Sequence, residues 1–411
     1  MLCQFTVENF KSIKDCLTLD MQASTAISEH SDKIIVDSDG EQFLPLAVIY
    51  GPNGGGKSNV IEALNNLIRK IMRPICAVCD KRGRNCSEDL KKSPTLPFKF
   101  SKESLNAPTK FELFFRTKLA EYKYNLTVKN DVVIYESLHK KNIEGTRHTP
   151  LFIRDIHLEK PCQLMGSLKK LVVSDLTETL TLLSYLAITH KKNPTVRDII
   201  GWFESDIELF NYGSPLSEMR IGVSESDKIK MLILNMIREM DIDIDDYRVE
   251  DKEESNMKIF TKHVVHNKSF ELDLFEESNG TIKLFGMLPF IATSLVLGST
   301  LIIDELDAKL HPKLLKYIIE LYRNVESNSN KAQLIFTSHD LSTMTSELFR
   351  RDEIWFVAKN NEQASTIYSL VEFKDKEGKS VRKDATLNKQ YLEGRYGADP
   401  YLRKIINWEE I

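Results

Sequence analysis

Gly51-Pro52-Asn53-Gly54-Gly55-Gly56-Lys57-Ser58 fits the pattern G-x-x-x-x-G-K-[ST], and its surroundings restrict the fold more than any other stretch of the chain. Leu46 to Tyr50, just before it, is a continuous apolar run suited to a buried strand. After it, Val60, Ile61, Leu64, Leu67, Ile68 and Ile71 recur at helical spacing, with Pro74 as the expected helix end. A strand that passes through glycines into a helix turns its N–H groups inward and adds the positive end of the helix dipole, and together these cradle phosphates. ATP and Mg²⁺ are the expected ligands. Asn53, Gly54, Gly55, Gly56 and Asn59 belong to the cradle, Lys57 neutralises phosphate charge, and the Ser58 hydroxyl ligates the magnesium ion.

Leu301-Ile302-Ile303-Asp304-Glu305 is an apolar strand ending in two carboxylates. It can place Asp304 on the magnesium side and Glu305 beside the water that attacks the γ-phosphate. Such a strand is common alone and gains its weight from the phosphate loop upstream. Leu334-Ile335-Phe336-Thr337-Ser338-His339 is a third apolar strand, whose terminal imidazole could reach the γ-phosphate and sense its loss. Without the other motifs, a histidine there reads as a structural group.

Together the Walker A segment at Gly51 to Ser58, the Walker B segment at Leu301 to Glu305 and the strand ending in His339 resemble the ABC-type ATPases, whose subfamily includes SMC and RecF proteins. Asn9-Phe10-Lys11-Ser12 looks like the N-terminal motif of that subfamily, and Glu277-Ser278-Asn279-Gly280-Thr281 stands where the ABC signature belongs. The likeness is closest to compact ATPases of prokaryotic abortive-infection and related phage-defence systems. It covers both α/β parts and little of the middle. It implies that Ser278 and Gly280 contact ATP held by the other subunit of a homodimer or higher oligomer. It also implies that Asp307 communicates across that dimer and that Lys11 lies near the phosphates. Ser278 alone reads as an ordinary helix N-cap. No glutamine between the first helix and Phe100 can be assigned to the family's Q-loop.

The expected fold class is α/β: a split ABC-type P-loop head with an antiparallel β subdomain and a helical insertion. Residues 1–151 form its first part, 152–246 the insertion and 247–411 its last part. Lys110 to Thr117, Glu121 to Lys129 and Val132 to Leu138 alternate as antiparallel strands. From about Gly166 to Met240 the pattern turns helical, through Leu176, Leu180, Leu183, Leu186 and Ala187 and again through Ile229, Leu232, Ile233, Met236 and Ile237.

A formal net charge of −4 argues against a whole-molecule nucleic-acid or membrane binder. The N-terminus lacks a secretory pattern and no run of 18 to 20 apolar residues is uninterrupted, so the expected location is the cytoplasm, with no membrane partner. Six cysteines in such a chain read as reduced thiols. Cys76, Cys79 and Cys86 could supply part of a zinc site, but the fourth ligand is missing nearby. Basic residues between Arg69 and Lys102 leave nucleic-acid contact open, with a solvated face as the default. Asp241, Asp243, Asp245 and Asp246 lack the glycine and closing glutamate of a calcium loop. With about seventy residues after His339, no further nuclease domain is expected, which favours an ATPase acting on a separate effector, a nuclease or toxin. The alternative is a DNA-repair or DNA-maintenance ATPase that clamps DNA itself.

Overall fold

The computed structural model describes residues 1–78, 94–210, 226–250, 258–374, 378, 380–382 and 385–398. In chain order, the first strands are β1 (Leu2–Glu8), β2 (Leu17–Asp20), β3 (Ile35–Val36), β4 (Gln42–Phe43) and β5 (Leu46–Tyr50), followed by helix α1 (Lys57–Val78). Next come β6 (Thr109–Arg116), β7 (Ala120–Lys129), β8 (Val132–Asn142), β9 (Thr149–Asp155) and β10 (Cys162–Leu164), then α2 (Leu182–Thr189), α3 (Pro194–Gly201) and β11 (Ile207–Phe210). After α4 (Asp227–Glu239), strands β12 (Asp246–Glu250), β13 (Lys258–Val265) and β14 (Lys268–Asp273) lead into α5 (Asn279–Leu297). The last part holds β15 (Thr300–Ile303), α6 (Pro312–Arg323), β16 (Gln333–Thr337), β17 (Ile354–Lys359), β18 (Ser365–Ser369) and α7 (Leu387–Leu392).

Every residue of β5 is buried, because the strand lies inside a sheet covered on both faces. That sheet runs β11-β15-β16-β5-β17-β18 and is parallel except for β18. Side chains alternate across a strand, so Ala47 and Ile49 enter one core while Leu46, Val48 and Tyr50 enter the other. The first core also takes α1, α2 and the inner face of a second, antiparallel sheet ordered β10-β9-β8-β7-β6-β1-β2. The second core is closed by α4, α5, α6 and α7. A three-stranded antiparallel sheet, β12-β13-β14, leads directly to the N-terminus of α5.

The expected strands between 110 and 138 are present, and β9 and β10 extend their sheet beyond them. Helix α1 runs through Pro74 instead of ending there. Ile71 and Ile75 are both buried, so the apolar face continues across the proline, and burial outweighs the one lost intrahelical bond. The segment 152–246 is only partly helical among its described residues. Leu176 and Leu180 lie outside helices, α2 packs in the same core as α1, and β11 joins the central sheet beside β15 with Ile207 opposite Thr300. Strand pairing across so long a separation leaves no trace in local periodicity. One described helix, α5, is long and apolar enough to cross a membrane by length and composition, and 67% of its most apolar window is buried inside the protein.

Candidate nucleotide site

The chain enters the phosphate loop from the carboxyl end of β5, and the loop is packed too tightly for ordinary side chains. A Cβ on Gly51 would fall 2.1 Å from the carbonyl oxygen of Val357 in β17. Gly56 has φ +111°, and a Cβ there would meet Ser365 Oγ at 2.2 Å. Below the loop, Ser365 Oγ donates to Gly55 O at 2.7 Å and lies in hydrogen-bond contact with Ser12 Oγ at 2.7 Å, and Asn59 Nδ2 donates to Ser12 Oγ at 2.6 Å. These bonds fix the loop's backbone and leave Asn53, Gly54 and Ser58 facing solvent. Lys57 is buried, and its ammonium donates to the carbonyls of Gly51 at 2.9 Å and Pro52 at 3.3 Å. Burial pushes Lys57 below the usual lysine range, opposed by Asp304, Glu305 and Asp307. A desolvated ammonium beside the carbonyls of its own loop is placed where phosphate oxygens would offset its desolvation.

Parallel pairing sets the other groups beside this loop. Strand β16 lies between β5 and β15, with Phe336 opposite both Val48 and Ile303. The segments after all three strands therefore emerge at one edge of the sheet, the usual ligand crevice of an open α/β sheet. Thr337 Oγ1 donates to Asp304 Oδ1 at 2.6 Å and accepts from the backbone N–H of Glu305 at 2.7 Å. It holds both carboxylate-bearing residues in register. Glu305 is exposed and has φ +54°, a left-handed conformation that costs a residue with a Cβ about 1 kcal/mol or more. The backbone N–H of exposed His339 donates to Asp307 Oδ2 at 3.0 Å, so the loops after β15 and β16 are bonded directly. The hydroxyl of Ser58 and the carboxylate of Asp304 are hard oxygen donors of the kind Mg²⁺ takes.

Ser278 caps α5: its Oγ accepts from Thr281 N at 3.2 Å. It is exposed nonetheless. Gly280 faces Lys309 O, 3.6 Å from where its Cβ would lie, so this turn rests on the loop that follows β15. In the N-terminal motif, Lys11 pairs with the Glu62 carboxylate on α1, while Ser12 makes the contacts beneath the phosphate loop. Asn9 donates to the carbonyls of Ser104 and Ala107 at 2.8 and 3.0 Å and accepts from Phe98 N, a structural role. Sequence reasoning gave no role to Thr337 or Ser12, although both stand in quoted motifs, and did not single out Ser365. Thr337 carried one readable sign, a hydroxyl at the last position of an apolar strand, and Ser365 carried none.

Cys79 and Cys86, and Lys81, Arg82, Arg84, Lys91 and Lys92 of the basic stretch, lie outside the described residues. Among the described residues no group of three or more His, Cys, Asp or Glu side chains could hold a metal ion. Asp246 pairs with Lys230 at 2.8 Å.

A parallel sheet that gathers a phosphate-loop sequence, two adjacent carboxylates and a histidine loop at one edge, with an antiparallel sheet sharing its core, is an α/β architecture of the P-loop kind. Residues 46–345 match the family described as "AAA domain, putative AbiEii toxin, Type IV TA system", and the chain belongs to that family. Similar solved structures, each aligned over 90% of this chain, are SMC heads. The SMC head domain from Thermotoga maritima is 15% identical, with 98% of it covered and a TM-score of 0.43. An SMC head bound to the C-winged helix domain of ScpA is 12% identical, with 97% covered and a TM-score of 0.46. An SMC head with an extended coiled coil, bound to the C-terminal domain of ScpA derived from Pyrococcus furiosus, is 11% identical, with 96% covered and a TM-score of 0.42. No curated protein matches the chain.

Proposed function

We propose that this chain hydrolyses ATP at a site completed by a second copy of itself, and that the resulting dimer is a switch controlling a separate effector in anti-phage defence. The observation that carries the composite site is a contrast in exposure. Lys57 and Thr337 are buried, whereas Glu305, His339 and Ser278 stand in solvent at the surface of one copy. Electrostatic catalysis on a phosphoryl group is strongest where water is excluded, and a partner's signature turn laid over the phosphate loop would exclude it.

In this reading the phosphate loop and Lys57 hold the β- and γ-phosphates, and Glu305 accepts a proton from the attacking water. The oxygen of that water bonds to the γ-phosphorus while the bond to the ADP oxygen breaks, leaving ADP and phosphate. Ser58 and Asp304 would hold a magnesium ion, which would supply charge neutralisation at the phosphate oxygens. His339 senses the γ-phosphate, Ser278 and Gly280 cover it from the partner, and Asp307 relays between the two subunits. The defence role is supported by the family match, whose description reads "putative AbiEii toxin, Type IV TA system".

The test is the light-scattering mass of the Glu305→Gln protein with and without Mg-ATP, repeated with Ser278→Arg added. Glu305→Gln should lower turnover about a hundredfold or more and accumulate an ATP-dependent dimer that the second substitution abolishes. Equal turnover in Lys57→Ala, Glu305→Gln and the parent would sink the site assignment. ATP-dependent DNA binding without any protein partner would favour a DNA clamp over an effector switch.

A further inference from the structure

Helix α5, which starts at the signature turn, carries a buried cation five residues after Ser278. Lys283 is 2% exposed. Its ammonium donates to the backbone carbonyls of Glu305 and Leu306, both at 3.3 Å, and to that of Ala308. All three carbonyls belong to the loop that follows β15, which also bears the Glu305 side chain and Asp307. Burial pushes Lys283 down to about 8, with Asp307 and Glu305 acting in the opposite sense. A charge withdrawn from water this far is held only while its partners stay in place, because losing them leaves the full desolvation cost uncovered.

The other flank of the signature turn is anchored as well. Glu277 Oε1 accepts from Thr261 Oγ1 at 2.6 Å and bonds His263 Nε2 at 2.8 Å, both on β13. The turn at 278–280 is thus braced between a sheet on one side and the loop that bears Glu305 on the other. In that loop Glu305 sits in a left-handed conformation, and one oxygen of Asp307, Oδ1, is buried without a hydrogen bond among the described residues.

We infer that Lys283 is a positioning residue that makes the signature turn and the Glu305–Ala308 loop one mechanical unit, so that nucleotide in a subunit's own phosphate loop sets how that subunit presents Ser278 and Gly280 to its partner. The two sites of the dimer are then coupled through the N-terminal half of α5 and not only through shared contacts at the interface. This inference rests on the composite-site reading.

The experiment uses the full-length protein, with the ATPase rate measured against ATP concentration for the parent, Lys283→Met and Lys283→Arg. Binding of a fluorescent ATP analogue to each variant serves as the check on folding. The parent curve should be sigmoidal, since linked sites bind cooperatively. Lys283→Met should bind the analogue within about twofold of the parent, lose about tenfold in kcat and give a hyperbolic curve, while Lys283→Arg should restore both rate and curvature. A Lys283→Met protein with the parent's rate and curve overturns the inference, as does one that no longer binds the analogue and is not restored by arginine. Ser278→Arg separates the two readings. If it leaves turnover unchanged, the composite site is wrong; if it abolishes turnover while Lys283→Met does not, only the coupling is wrong.

Discussion

At the scale of single residues, the candidate site depends on one hydroxyl that no motif names. Thr337 both donates to Asp304 and accepts from the N–H of Glu305, so it fixes the Asp304 carboxylate and the backbone of Glu305 at once. Thr337→Val keeps the shape and removes both bonds. Stability should fall by about 1 kcal/mol for a lost buried hydrogen bond, measured by urea unfolding. Turnover should fall by about tenfold or more as Asp304 loses its orientation, with a higher Mg²⁺ concentration needed for half-maximal rate. Unchanged magnesium dependence would separate Asp304 from the metal. The motif residues Lys57, Asp304 and Glu305 were legible because their chemistry is written in residue type beside apolar strands. Thr337 was not, because its importance lies in which strand is its neighbour.

At the scale of elements, the glycines of the phosphate loop answer to strand packing as much as to phosphate. Gly51 abuts the carbonyl of Val357, and β17 pairs in parallel with β5 from Ile354 opposite Val48 to Phe356 opposite Tyr50. Gly51→Ala must therefore push β17 outward or displace the loop. Overpacking of this kind costs about 1–3 kcal/mol, and the variant should unfold at lower urea and bind ATP weakly. Parent-like values of both would mean that β17 yields without cost. The same scale explains the misreadings of periodicity. Alternation revealed β6, β7 and β8 because each faces one core on one side. It failed for 152–246, where Leu176 and Leu180 pack from irregular backbone and β11 is defined by a partner strand about ninety residues away in sequence.

For the whole molecule, the two sheets are joined at a buried glutamine. Gln333, at the start of β16, accepts from Leu2 N at 2.8 Å and from Thr300 Oγ1 at 3.0 Å, and donates to the carbonyls of Leu2 and Leu44 at 3.1 and 3.2 Å. It fastens the first strand of the antiparallel sheet to the parallel sheet across 331 residues of sequence. Gln333→Leu fills the space and strands those backbone groups, so unfolding free energy should drop by about 2–4 kcal/mol; a loss under about 0.5 kcal/mol would show that the sheets are held by their apolar faces alone. The sequence by itself determined the phosphate loop, its strand and helix, the carboxylate pair and the antiparallel meander, because each is set by residues adjacent in the chain or repeating at a fixed period. Tertiary structure alone decided that β16 separates β5 from β15, that Ser12 and Ser365 brace the phosphate loop while Thr337 holds Asp304 and Glu305, that Lys283 bonds the chain after β15, and that Gln333 joins the sheets. Those facts are contacts between distant segments, and a hydrogen bond across hundreds of residues has no local signature.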